Sequence, residues 1–396
     1  CLACGPVASR DPYSPFCPGC GEPLFVVPPC PGRRRGFHEG RALALEKCAD
    51  FLPLDRIDPR LSLGEGSTPL VRLERLEGSL GRARLFAKNE AQNPTSSFKD
   101  RGTAVAVQKA VALGAKRIGT VSTGNMAAST AAYGARAGLP TFVLLKEGTS
   151  TMSLRVAGIH GPRLVAVDGD YGDLFHKSCE IGKRLGIMFM NSIDPYRLEG
   201  YKVTAFEIFL QLGGRAPRAV FVPLSSGGHL LGLMRGFSDL ESAGLASSYP
   251  TIVGVQAQGC SPLASAFERG LERYERPEEV RTIAHAIANP TPPAGNAVLR
   301  MIRDRRGLLV AVTDDEMLEA QRELAAAEGL FCQPESATTL AALKRLVAKG
   351  WPGGDGDDVL VLTGSGLKTP ASLESAPMTI CRLALGELES GLARLL

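Results

Sequence analysis

The chain has 396 residues, 44% hydrophobic and 22% charged, which is globular composition and room for about two or three domains without disulfide staples. Its 45 basic and 41 acidic residues leave a net charge of +4, too balanced for nucleic acid or an anionic membrane surface as principal partner. With no apolar run near the roughly 18 residues of a membrane span and no signal-peptide pattern, the expectation is a cytoplasmic protein with reduced thiols.

The first 30 residues stand apart. Cys1, Cys4, Cys17 and Cys20 are spaced C-x2-C-x12-C-x2-C, two knuckles that each present a thiolate pair. Four soft ligands at that spacing suit a tetrahedral structural zinc and predict a zinc-ribbon-like lobe over 1–30. The alternative is a ribbon-shaped lobe that has lost its metal or oxidised. Cys30, Cys48, Cys179, Cys260, Cys332 and Cys381 lack ligand spacing and are expected as buried thiols. Residues 31–60 read as a connector, with Arg33, Arg34 and Arg35 on a solvated turn.

From residue 84 the chain alternates strand and helix. RLFAK (84–88) reads as a strand, FKDRGTAVAVQKAVALG (98–114) as a helix closed by Gly114, and RIGTVS (117–122) as the next strand. NMAASTAAYGARAG (125–138) is a helix; TFVLL (141–145), RLVAV (163–167) and MFMNS (188–192) are strands. A second block runs from AVFVP (219–223) through IVGVQA (252–257) to VLVLTG (359–364). Short apolar strands between glycine-ended helices predict an α/β protein with two doubly wound open sheets, its strands buried and parallel. Ligand chemistry is then expected at the carboxyl ends of the strands.

The stretch NPTSSFKDRG (93–102) sets Lys99 in the first turn of a helix, after a break at Pro94 and with Ser96 or Ser97 available as caps. A helix start is electropositive and disfavours an ammonium, so the pKa of Lys99 is expected to fall below the usual 10.4 or so. A neutral amine can form a Schiff base with an aldehyde. Taken alone, the stretch also allows a capped helix whose lysine points to solvent.

Three further loops sit at strand ends. STGN (122–125) offers hydroxyls and free amides for a carboxylate, and the Asn125 amide could meet a phenolate oxygen. PLSSGGHLLG (223–232) offers a nest of backbone N–H groups for phosphate, and LTGSGLK (362–368) presents the Thr363 hydroxyl. Together the loops ask for a ligand with one aldehyde, one phosphate and one ring nitrogen. Pyridoxal phosphate fits.

On these motifs, with GEGSTPL (64–70), NSIDPYRLEGYK (191–202), VQAQGCSPL (255–263) and TIAHAIANP (282–290), the chain resembles the threonine synthase branch of the fold-type II pyridoxal-phosphate enzymes. The resemblance spans nearly the whole length, and the cysteine ribbon is similar to that of many prokaryotic members. It implies a large cofactor-binding α/β domain (31–92 and 204–396) and a small mobile one (93–203). Lys99 would carry the cofactor as a Schiff base, with Phe98 beside it, and would shuttle protons at Cα and Cβ of the substrate. Asn125 would bond the ring oxygen, Ser225, Ser226, Gly227, Gly228 and His229 the cofactor phosphate, and Thr363 would face the pyridine nitrogen. Ser122, Thr123, Asn125 and Met126 would line the substrate carboxylate site, and Asn191, Ser192 and Arg197 would bind the substrate phosphate.

The resemblance implies conversion of O-phospho-L-homoserine and water to L-threonine and phosphate, by a carbon–oxygen lyase of amino-acid biosynthesis that is usually a homodimer. Two departures stand out. The family's Gly-Asn-Gly-Gly-Asn phosphate loop is Ser-Ser-Gly-Gly-His here, and its Glu-Pro-Ala-Ser is Gln333-Pro334-Glu335-Ser336. They leave open a paralogous enzyme acting on another phosphorylated or phosphonate amino acid, as in cysteate synthesis. A retired, non-catalytic zinc-ribbon protein is the rival from another class. His38, His160, His176 and His285 show no partner spacing and are assigned no role.

Overall fold

Ten strands among the described residues follow the alternation written in the chain. They are β1 (Leu70–Arg72), β2 (Arg84–Asn89), β3 (Ile118–Val121), β4 (Thr141–Lys146) and β5 (Arg163–Val167), then β6 (Met188–Phe189), β7 (Ala219–Pro223), β8 (Thr251–Ala257), β9 (Leu308–Val312) and β10 (Asp357–Leu362). The protein is described here from a computed structural model covering residues 1–7, 11–27, 35–149, 151–352, 354–373 and 380–394. Cys30, Arg33 and Arg34 lie outside the described residues.

The strands form two sheets. One has six strands in the order β1-β2-β10-β7-β8-β9, and the other has four in the order β5-β4-β3-β6. Every pairing is parallel except β1 with β2, where Leu70 faces Lys88. In the smaller sheet the chain steps from β3 through β4 to β5, then returns to β6 on the other side of β3. A reversal of this kind opens a crevice at the carboxyl ends of β3 and β6. In the larger sheet β2, β10 and β7 are neighbours, so the loops after residues 89, 362 and 223 emerge side by side.

Hydrophobicity explains which strands are central. All five residues of β7 are buried between β10 and β8, and Val220, Phe221 and Val222 are fully enclosed. The run RLVAV reads in sequence as another buried strand, but the structure corrects this. β5 is an edge strand, and Arg163 to Ala166 are all exposed. A continuous apolar run does not specify whether a neighbour will cover it. Cys381 is likewise exposed rather than buried, whereas Cys48, Cys260 and Cys332 are buried and Cys179 is half-buried.

The helix Pro195–Gln211 holds the two sheets together. Its start is fixed by Pro195 and by the Asp194 carboxylate, which accepts from the N–H groups of Tyr196 (2.9 Å) and Arg197 (3.1 Å). Glycines let it approach both neighbours. A Cβ at Gly102, on the helix Lys99–Ala112, would lie 2.6 Å from the Tyr201 ring. On the helix Gly228–Ser242, a Cβ at Gly232 would meet Tyr201 at 2.6 Å and one at Gly236 would meet Ala205 at 2.8 Å.

Candidate active site

Lys99 is the first residue of the helix Lys99–Ala112, at the mouth of the loop after β2. The expected serine caps are absent. Ser96 takes a left-handed φ of 57°, and among the described residues no side chain caps the helix and the buried Ser97 hydroxyl has no partner. The loop is held by other bonds. Thr95 gives its N–H and hydroxyl to Asp100 at 2.6 Å each, and the Lys368 amine donates to the Thr95 carbonyl at 2.8 Å.

The Lys99 side chain is partly exposed, yet its amine is enclosed enough for burial to lower the pKa to about 7. The nearby Arg197 charge lowers it further. The expected direction holds, with burial as the largest cause and the Arg197 charge second. Among the described residues no carboxylate pairs with the amine, which lies 4.4 Å from the centre of the Phe98 ring. At pH 7 roughly half of such an amine is neutral, against about one in 3,000 for an ordinary lysine.

Next to it, the loop after β7 turns through Gly227, whose φ is +92°. A Cβ there would lie 2.8 Å from Val298 and 3.0 Å from Ala294, so only glycine fits the turn. Gly228 opens the helix Gly228–Ser242 against the Ser192 carbonyl, where its N-terminal amides are free to meet an anion. His229 is 7% exposed and stacks on Phe98 with ring centroids 4.0 Å apart. Both of its ring nitrogens are buried without a partner among the described residues, and burial, then the charges of Lys99 and Arg101, hold its pKa well below the usual range. Ser225 and Ser226 are half-buried, and the Ser226 hydroxyl accepts from the Asn289 amide at 3.1 Å.

The loop after β10 closes the site. Thr363 shares a 2.9 Å hydrogen bond with Ser336, and its carbonyl accepts from the Phe98 N–H at 3.0 Å. Beside it, Asn125 donates its side-chain amide to Gln333 at 2.7 Å. Gln333 and Ser336 thus orient Asn125 and Thr363, although sequence reasoning noted them only as part of a motif. Across the cleft, Asn125 begins a helix to Arg136 with no capping side chain or first-turn acid. Ser122 and Met126 are buried there, Thr123 is exposed, and the Ser122 hydroxyl accepts from the Gly124 N–H at 3.3 Å.

The residues after β6 divide in role. Asn191 is fully buried: it accepts from the Val121 N–H at 2.9 Å and donates to Ser178 at 2.9 Å. Its amide is therefore a strut across the β3–β6 crevice rather than an open ligand, as sequence had suggested. Ser192 is buried beside Gly228. Arg197 is also fully buried, donating to the Met190 carbonyl (2.8 Å), Thr103 (2.7 Å) and Thr130 (2.8 Å). These are neutral acceptors. Among the described residues no carboxylate forms an ion pair with its guanidinium. Tyr201, one helical turn on, buries its hydroxyl near the Arg197 guanidinium; sequence reasoning missed it, although it lies four residues from Arg197 on one helix face.

Behind the site, Arg101 and Lys88 are matched by Glu90 and Glu207. Arg101 bonds Glu90 (2.5 and 2.8 Å) and Glu207 (2.9 and 2.7 Å), and Lys88 donates to Glu207 at 2.6 Å. Burial alone would raise the pKa of Glu207, but Arg101 and Lys88 draw it down to about 2. The GEGSTPL loop is bolted to this cluster, with the N–H of Gly66 on Asn93 at 3.0 Å and that of Ser67 on Glu207 at 2.6 Å.

The fold and this cleft define a class, and comparison with known proteins agrees. Residues 61–364 match the pyridoxal-phosphate dependent enzyme family, to which the chain belongs. Threonine deaminase isoform 2 from Solanum lycopersicum shares the fold, with a TM-score of 0.67 and 20% identity over 78% of this chain and 88% of that one. Within the family the chain belongs with the threonine synthases. It is 37% identical to the threonine synthase of Methanocaldococcus jannaschii over 93% of this chain and 92% of that one. It is also 37% identical to the threonine synthase of Synechocystis sp. over 82% and 83% of the two chains. The cleft residues fit pyridoxal phosphate: an amine with a lowered pKa, buried polar atoms on Ser97 and His229 with no partner among the described residues, and a glycine turn into a helix start.

Proposed function

We propose that the chain converts O-phospho-L-homoserine and water to L-threonine and inorganic phosphate, as a carbon–oxygen lyase. The observation that carries the substrate assignment is Arg197, a buried cation with no carboxylate partner among the described residues, close enough to Lys99 to lower its pKa. An uncompensated buried charge is costly, and a phosphate-bearing amino acid in the cleft would neutralise it.

When bound, pyridoxal phosphate supplies the electron sink that makes the α-carbon of an amino acid acidic. Lys99, Ser225, Ser226, Gly227, Gly228, His229, Asn125 and Thr363 would hold it. Lys99 would move protons at Cα and Cβ, a task suited to an amine with a pKa near the working pH. Ser122, Thr123 and the free amides at the start of the Asn125 helix would take the substrate carboxylate, beside Met126. Arg197 and Ser192 would take its phosphate and stabilise that group as it leaves Cγ. A small mobile domain over 93–203 would close on the large domain and keep water out until phosphate has gone. The four thiolates of Cys1, Cys4, Cys17 and Cys20 would hold a structural zinc.

Product identification from O-phospho-L-homoserine tests the assignment. Stoichiometric threonine and phosphate are expected. Negligible turnover, with good turnover of another phosphorylated or phosphonate amino acid, would replace the substrate and leave the cofactor assignment standing.

A further inference from the structure

We infer that the N-terminal lobe is a strap fastening the four-stranded unit to the six-stranded unit, with a metal-closed turn at the crossing. The inference rests on the zinc assignment above and adds a role to it. The sulfur atoms of Cys1, Cys4, Cys17 and Cys20 all lie within 4.8 Å of one another, with Cys1 and Cys20 at 3.5 Å. That spacing suits four ligands on one ion, each about 2.3 Å from it.

On one side of the second knuckle, Phe16 stacks on His176 with centroids 5.1 Å apart and meets Phe175 edge-on at 6.0 Å. Both partners belong to the helix Tyr171–Leu185, which packs on the four-stranded sheet. Asp11 pairs with Lys183 of the same helix at 2.8 Å. On the other side the lobe reaches the six-stranded unit. The Val26 carbonyl accepts from Arg235 at 2.8 Å, and the Arg235 guanidinium lies 5.0 Å over the Phe25 ring. Glu22 accepts from Asn296 at 3.4 Å.

The two docking points flank a turn closed by the Cys17 N–H on Glu22 (2.8 Å) and the Gly21 N–H on Cys17 (2.9 Å). The turn also pairs Phe16 with Pro23. Phe16 and Glu22 are therefore spaced by the knuckle that carries Cys17 and Cys20. A lobe this small cannot hold that spacing with a core of its own, and a bound metal can.

Two variants of the cofactor-loaded protein test the strap. Phe16→Ala removes an anchor and leaves the ligands, whereas Cys17→Ser/Cys20→Ser removes half the ligands. Metal per chain is read by elemental analysis, and hydrogen exchange is read over 171–185. Wild type should carry one zinc, Phe16→Ala should retain it, and the cysteine variant should lose it. Both variants should speed exchange over 171–185 by roughly threefold to tenfold, the scale of one aromatic contact, with exchange in β7 unchanged. Unchanged exchange over 171–185 in both variants would overturn the strap even if zinc is bound. A metal-free wild type whose exchange responds to Phe16→Ala alone would overturn the zinc assignment and the metal-closed turn.

Discussion

Lys99 and Arg101 are two residues apart on one helix, and their surroundings differ in kind. Around Arg101, two carboxylates, an ammonium and a threonine hydroxyl satisfy one another within 3.0 Å. Around Lys99, the hydroxyl of Ser97 and both nitrogens of His229 are buried with no hydrogen-bond partner among the described residues. A buried polar group without a partner costs roughly 1–3 kcal/mol, so several together make the folded chain less stable than it could be. The saturated cluster holds the backbone in place. The unsatisfied one is reserved for what binds.

Substitutions can break this contrast, beginning with the largest effect. Lys99→Ala should abolish covalent capture of the cofactor and cut turnover by about a thousandfold or more. Absorption spectroscopy and steady-state rates check this, and a variant that keeps both would show that another group acts. Glu207→Gln should leave the saturated cluster with excess positive charge and cost about 3–5 kcal/mol by urea unfolding. A cost well below 1 kcal/mol would mean that the cluster is not the strut described.

His229→Phe sharpens the comparison because its two effects have opposite signs. Removing unpaired nitrogens while keeping the stack on Phe98 should stabilise the cofactor-free protein by about 1–2 kcal/mol. It should also weaken cofactor binding by roughly tenfold, as loss of one hydrogen bond to a charged group does. A fall in both would assign the imidazole to packing alone. The smallest effect is that of pH. Only neutral Lys99 attacks an aldehyde, so capture by the cofactor-free protein should slow as pH falls through about 7 and level off above it. Stopped-flow absorbance from pH 5.5 to 9 follows it, and a midpoint near 10 would contradict the burial of this amine.

Much of the frame is legible in the sequence because alternation and glycine placement act locally. β3, β4, β7, β8 and β10 fall within a residue or two of the positions expected, and the loops bearing Lys99, Asn125, His229 and Thr363 all leave strand ends. What was not legible depends on distant partners. β5 gave the apolar pattern of a buried strand, but nothing in the run tells whether the sheet continues past it. Ser96 and Ser97 looked like caps, yet the backbone turns left-handed at Ser96 and the cap is lost. Asn191 and Arg197 share one motif, but the first is spent on Val121 and Ser178, which only the folded chain brings near. The match of Arg101 to Glu207 spans 106 residues, beyond the reach of any periodicity.

The glycine contacts along the helix Pro195–Gln211 set how closely three helices approach one another. Gly102 seats that helix against the one starting at Lys99, and Gly232 and Gly236 seat it against the one carrying His229. Side chains interlocked this closely do not slide past one another. Lys99 and His229 thus sit on helices that share one seat, so the spacing between the two loops that carry them depends on three positions that bear no side chain.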